Sequence, residues 1–465
     1  MTGISTAQMS YKEAIDKLGG LVDFERSVSI PNRSLFRLER MQHLLGHMGD
    51  PHKQVPSIHV AGSDGKGSTS AMIASVLSTA GYKVGLYTSP HLHKMTERIR
   101  IDAKPISESD FCARLEEVWP SIKKTEKKFG YGSTTFFEAI TLLAFLHFQR
   151  SKTDIQVIEV GLGGRLDATN VILPQVCAIT PISLDHVETL GPTVGEIARE
   201  KAGIIKRKTP VVVAPQIQNA MKSIKQRAEE MEAPVISVSD RYKTQVCEAN
   251  VDGQSFSIRG PKNRYVLKTS MLGDYQIENA ATAVAVAETL NQQGLEINHE
   301  NIRDGIKCVD WPARFQILKV SGKTLVVDGA HNESSIKRLS ENVSAMFGIN
   351  RVVLLFGALY GHSLDSMLES LKELDSPLVA VKSRHPKAVD AKVISSVAKK
   401  QGIKVSYEED SVSAGLERAI SMGKDSIILC TGSLSVAAEI LEGVYKMVPE
   451  LYPNMGSANS DVQAV

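Results

Sequence analysis

The chain has 465 residues, 42% of them hydrophobic and 23% charged, an ordinary globular composition that excludes collagen-like, coiled-coil and wholly disordered chains. Lys+Arg 54 against Asp+Glu 52 leaves a formal charge of +2, so no net field argues for nucleic acid or an anionic membrane as a partner. At roughly 100–200 residues per domain, this length predicts more than one domain.

The start, Met1-Thr2-Gly3-Ile4-Ser5-Thr6-Ala7-Gln8, has neither the basic nor the apolar region of a secretory signal. The expectation is a soluble, cytoplasmic protein. The first strong element is Ile58-His59-Val60-Ala61-Gly62-Ser63-Asp64-Gly65-Lys66-Gly67-Ser68-Thr69, which reads as strand, glycine-rich turn and helix start. Such a turn aims successive N–H groups at a phosphate, and the helix start adds a favourable dipole. The usual P-loop spacing is not met, because Gly67 separates Lys66 from the hydroxyl pair.

Val84–Tyr87 is the next apolar run and ends in Thr88-Ser89-Pro90-His91. The longest greasy segment, Phe136 to Phe148, is broken by Glu138 and Thr141 and is too short to span a bilayer. Val157–Val160 contains Glu159 at its end, Val176–Ile179 leads into Leu184-Asp185-His186, and Val211–Val213 follows. These short, uniformly apolar runs predict buried parallel strands between helices. The parallel topology would bring their carboxyl ends to one edge. Residues 235–270, with Val235-Ile236-Ser237-Val238 and an Asp252-Gly253 turn, predict a small antiparallel insert, and an Ala-rich helix follows over Glu278–Leu290. Strand–helix alternation restarts after Trp311-Pro312, with strands expected at Leu325–Val327, Val352–Phe356, Leu378–Val381 and Ser426–Leu429. The expected domains are 1–310, a P-loop-type parallel-sheet domain carrying the insert, and 311–452, a Rossmann-like α/β domain, with a disordered tail over 453–465. Five widely spaced cysteines without a Cys-x-x-Cys pair are expected to be reduced, buried hydrophobes.

Seven stretches occur in order: Gly62–Ser68, Tyr87–Leu92, Glu97–Arg100, Glu159–Asn170, Leu184–His186, Glu200–Ile204 and Asp328–Asn332. Together they resemble the folylpolyglutamate synthase/dihydrofolate synthase family of the Mur ligase superfamily, from about Leu38 to Glu439. The resemblance implies an ATP-dependent ligase that phosphorylates a pterin-borne carboxylate and couples it to L-glutamate. It implies ATP contacts from Gly65, Lys66, Gly67, Ser68, Asn279, Arg314 and Asp328, and magnesium at two sites held by Ser89, Glu159, His186 and a carbamylated Lys201, with a potassium ion also allowed. Lys66, Lys201 and His186 would be catalytic, and His331 would bind glutamate. Thr135, Phe136, Phe137, Glu138, Leu166, Asp167 and Ala168 would line the pteroate pocket, Phe136 or Phe137 serving as core while the other stacks on the pterin. A monomer acting on small molecules, with no nucleic acid or membrane partner, is the expected assembly.

The chain departs from the family pattern in three places. Ser63-Asp64 stands where Thr-Asn is usual, Tyr360-Gly361-His362-Ser363 replaces a Lys-Asp-Lys-type stretch, and Glu333 replaces a proline after Ala330-His331-Asn332. Two other function classes are weighed: a P-loop kinase or regulatory NTPase, and a catalytically silent folate-binding paralogue. The first leaves the second domain and Asp328–Asn332 unexplained. The second has no need of a complete metal set.

Overall fold

The computed structural model describes residues 9–25, 36–128, 132–348, 352–422 and 426–450. The expected disordered tail, 453–465, lies outside the described residues. The first sheet contains β1 (Ser57–Ala61), β2 (Val84–Tyr87), β3 (Ile99–Ile101), β4 (Lys104–Pro105), β5 (Ile155–Glu159), β6 (Val176–Ile179), β7 (Val211–Val213) and β8 (Val235–Ser237). Their spatial order is β4-β3-β2-β5-β1-β6-β7-β8, parallel from β2 to β8, with β3 and β4 antiparallel at the edge. Strands β1, β2, β5, β6 and β7 are buried along their whole length, which is why they read as apolar runs. The chain leaves β1 for β2 on one side and later enters β6 on the other. The crevice outside the carboxyl ends opens at that switch point.

Helices Lys66–Thr79, Asp274–Gln292 and His299–Cys308 cover one face over a core that includes Val60, Met72 and Val284. Glu108–Lys128 and Phe136–Arg150 cover the other, around Tyr87, Phe111 and Phe145. The greasy segment is thus a buried helix, and among the described residues no helix is long and apolar enough to cross a membrane.

The antiparallel insert is β9 (Lys243–Asn250), β10 (Gly253–Arg259) and β11 (Arg264–Thr269) in the order β11-β10-β9. One expectation is corrected here. Val235–Ser237 pairs in parallel with β7 and closes the large sheet, and the insert begins at Lys243. Strand β9 is exposed throughout, so no apolar period announced it. Cys247 lies on that strand and is exposed, as is Cys308 at a helix end, while Cys112, Cys177 and Cys430 are buried as expected.

The last sheet contains β12 (Gln316–Val320), β13 (Lys323–Val327), β14 (Val352–Phe356), β15 (Leu378–Val381), β16 (Val405–Glu409) and β17 (Ile427–Thr431), ordered β12-β13-β17-β14-β15-β16. Only β12 is antiparallel. The two edge strands, β12 and β16, are partly exposed and were not anticipated from the sequence.

A buried ion pair ties the amino-terminal helices to this frame. Arg40, on helix Leu38–His47, places Nε 2.8 Å from Oε2 of Glu138, with the two side chains 3% and 6% exposed. Glu138 Oε2 also accepts from the backbone N–H of Thr135, closing a capping box at the start of helix Phe136–Arg150. Glu138→Ala leaves Arg40 buried without this carboxylate and should lower stability by about 3–5 kcal/mol. A urea unfolding series measures it. A loss under about 1 kcal/mol would put the pair on a par with a surface contact.

Candidate active site

The carboxyl ends of β1, β2, β5 and β6 open into a cleft of about 490 Å³ that the last sheet also lines. After β1 the chain makes its glycine-rich turn. Gly62 has φ +153, and a Cβ there would lie 1.8 Å from Thr180 Oγ1, so no larger residue fits without moving the loop after β6. The N–H groups of Ser63 and Asp64 both donate to the Pro181 carbonyl, at 2.9 and 3.1 Å. Gly65 then turns with φ +80 into helix Lys66–Thr79. Lys66, Gly67 and Ser68, the first turn of that helix, line the cleft, and the N–H groups of a first turn have no partner within the helix. Gly67 is pressed by Trp311, whose Nε1 would be 3.1 Å from a Cβ. Asn279 packs on Gly65, and its Oδ1 accepts from Thr69 Oγ1 at 3.3 Å.

Glu159, at the end of β5, is buried and accepts from the Ser89 N–H at 3.2 Å. Burial pushes its carboxyl up to about 7, against the pull of Lys66 and Arg314. Burial would also raise the Asp185 carboxyl. There, however, His186, His331, His362 and Lys201 outweigh it and hold the group well below the usual range. His362 Nδ1 and His186 Nε2 lie 3.7 and 3.8 Å from its oxygens, and Asp185 Oδ1 has no hydrogen-bond partner. Lys201 is buried on helix Val194–Ala202, and its Nζ donates to the Gly62 carbonyl at 2.6 Å. Burial, with Lys66 adding repulsion, lowers this ammonium to about 7.

The test of a divalent cation is these donors. Among the described residues no group of three or more His, Cys, Asp and Glu side chains converges as a ready metal cage. A desolvated carboxylate at Glu159 with the Ser89 backbone as neighbour, and an orphaned buried oxygen on Asp185, fit magnesium, which takes one or two carboxylates and completes its shell with phosphates and water.

On the opposite wall the expected pocket residues divide. Phe136 is core, 1% exposed, with the Arg98 guanidinium 5.2 Å over its ring. Phe137 lines the cleft instead and covers Gly161, where a Cβ would meet the ring at 2.3 Å. The carboxylates beside it are engaged locally: Glu138 by Arg40 and the Thr135 cap, Asp167 by the N–H groups of Leu162 and Thr169 at 2.8 and 3.0 Å. Leu166 and Ala168 line the same wall.

From the last sheet come Arg314, Asp328 and His331. Asp328 orders the corner by accepting from the N–H groups of Phe315 and Ala330, at 2.7 and 2.8 Å, and from the Tyr275 hydroxyl at 3.3 Å. His331 Nδ1 donates to the Gly329 carbonyl at 2.8 Å, which fixes the orientation of the ring. All the sequence-derived site residues therefore line one cleft, except Phe136 in the core and Lys201 behind the loop.

Sequence reasoning missed Arg98, whose guanidinium donates to His91 Nδ1 at 2.9 Å and to Glu25. It also missed His362, which stands 5.0 Å ring to ring from His331. The Glu97–Arg100 motif was a signal for the first. Only the departure at 360–363 marked the second.

Residues 60–287 match the Mur ligase middle domain, and residues 313–434 match the Mur ligase glutamate ligase domain. A dihydrofolate synthase/folylpolyglutamate synthase of Bacillus subtilis is 35% identical over 406 residues, covering 87% of this chain and 94% of that protein. The folylpolyglutamate synthase of Mycobacterium tuberculosis, solved with ADP and AMPPCP, superposes with a TM-score of 0.81 at 28% identity over 89% of this chain and 96% of its own. Escherichia coli FolC in complex with DHPP and ADP also gives 0.81 at 28%, over 94% and 98%.

The Asp167 turn is held from below by His59 on β1. Thr169 donates its hydroxyl to Asp167, so its oxygen accepts, at 2.9 Å, from Nε2–H of the neutral His59 ring. Complete burial pushes this imidazole down to about 3. Below the ordinary histidine range the unfolded chain takes up a proton that the folded chain refuses. The stability due to this group is therefore full above about pH 6.5 and is lost as pH falls toward 3. Unfolding free energies measured from pH 7 to 4 should fall less steeply in His59→Gln than in the parent.

Proposed function

The chain belongs to the folylpolyglutamate synthase/dihydrofolate synthase family of Mur ligases, and from that premise we propose that it couples L-glutamate to a pterin-borne carboxylate with conversion of ATP to ADP and phosphate. The observation that carries this reading is one cleft in which the phosphate loop and Glu159 face Arg314 and His331 of the last sheet, with Phe137 on a side wall.

In the first step a carboxylate oxygen of the pterin substrate attacks the γ-phosphorus and ADP leaves, producing an acyl phosphate. In the second, the glutamate amine attacks the acyl carbon, phosphate leaves, and the nitrogen loses a proton. The N–H groups of Lys66, Gly67 and Ser68 cradle the phosphates, and the Lys66 ammonium offsets charge on the transferring group. Asn279 holds Gly65 in its turn, and Arg314 and Asp328 bring the last sheet to the nucleotide. Phe137 offers a ring face to the pteridine. His331, its ring fixed by Gly329, stands where glutamate would bind. Magnesium, when bound by Ser89, Glu159, His186 and a carbamylated Lys201, would neutralise the charge that otherwise keeps two anions apart. Closing both domains over the cleft keeps water from the acyl phosphate.

ADP release measured with dihydropteroate, with tetrahydrofolate and with neither, each with and without glutamate, tests the reading. Release that needs both a pterin and glutamate is expected. Glutamate-independent phosphorylation would favour a kinase, and no release at all a silent binding protein. Lys66→Ala should lower turnover by roughly 10²–10³ at unchanged melting temperature.

Burial lowers the Lys201 ammonium to about 7, toward the neutral amine, which is the form that adds carbon dioxide. Lys201→Ala should be nearly inactive, and the parent incubated with ¹³C-bicarbonate should show a carbamate carbon that the variant lacks. An active, nucleotide-bound parent with no such resonance would exclude the carbamate.

A further inference from the structure

Asp64 is where the phosphate loop departs from the family pattern, and its side chain reaches the other domain. Oδ1 accepts from Asn332 Nδ2 at 2.9 Å, and Oδ2 accepts from the Ser183 hydroxyl at 2.9 Å. Asn332 follows His331 directly and caps helix Glu333–Phe347, its Oδ1 accepting from the Ser335 N–H at 2.8 Å. That cap fixes the amide: with the oxygen turned into the helix, Nδ2 faces outward and needs an acceptor. The Asp64 backbone is meanwhile anchored through the Pro181 carbonyl. Asn332 is 4% exposed and Asp64 is half-buried at the cleft, so the contact lies in the seam between domains.

We propose that Asp64 is a positioning residue, the first-domain half of a latch that sets the spacing between the phosphate cradle and the acceptor-amine site beside His331. This rests on the ligase reading. A carboxylate accepting an amide N–H makes a stronger bond than the neutral asparagine usual at this position. Its work is to hold the seam shut while the acyl phosphate waits for the amine. Opening the seam would admit water as a competing nucleophile, so the signature of a broken latch is ADP formed without amide.

The test measures ADP and amide in the same reaction, at saturating ATP and pterin, across a double-mutant cycle. Asn332→Ser keeps a side-chain cap for Ser335 and removes only the outward donor. Asp64→Ala removes the acceptor. Each should raise the glutamate KM about tenfold and lift the ADP-to-amide ratio above one. The double variant should be no worse than Asp64→Ala, and Asp64→Asn should fall between Asp64→Ala and the parent. Because Asn332 lies on the other domain from Lys201, a matching defect in Asn332→Ser separates the latch from any effect of Asp64 on that lysine. Single variants with parental glutamate KM and a ratio of one, or single effects that multiply in the double, would overturn the latch. A parent without glutamate-dependent ADP release would overturn the ligase reading itself, and the latch with it.

Discussion

The shape of the turn after β1 is held by backbone groups, and the rest of the cleft is arranged around it. Pro181 accepts two consecutive N–H groups from that turn, Lys201 donates to the Gly62 carbonyl, and Thr180 leaves room for no side chain at Gly62. None of these contacts uses the N–H groups that open helix Lys66–Thr79. The loop is made rigid from behind and left unsatisfied in front, which is the condition for binding an anion without reorganisation.

The same edge concentrates charge where little water reaches. Glu159 is driven up and Lys201 down, each toward neutrality, because burial penalises the ionised form in both. The two shifts have one meaning: the protein by itself does not supply enough close counter-charge for either group. Asp185 is the contrast. It shares a corner with three imidazoles and stays ionised. A site built this way favours ligands that bring both cations and anions with them.

The side-chain ledger at the pocket wall also separates support from contact. Of two adjacent aromatics, Phe136 lies under Arg98 in the core and Phe137 borders the cleft. Of the two carboxylates, Glu138 closes an ion pair and a helix cap, and Asp167 closes a turn. Both carboxylates are therefore engaged in holding the wall of the cleft.

By itself the sequence determined the local chemistry: strand, glycine turn and helix start at Ile58–Thr69, acids after two further strands, and a second alternation of strands beyond Trp311. These are legible because periodicity, glycine placement and the run of apolar residues in a buried parallel strand are properties of a few neighbouring residues. Edge strands β9, β12 and β16 carried no such signal, since β9 is exposed throughout and β12 and β16 are only partly covered, so none forms the apolar run of a strand buried on both faces. Only the tertiary structure decided which phenylalanine is core, that Glu138 belongs to Arg40 across 98 positions, and that Asp64 meets Asn332 across 268. Those pairings depend on how two sheets and their covering helices pack, and packing is a sum over distant contacts that no short window of sequence contains.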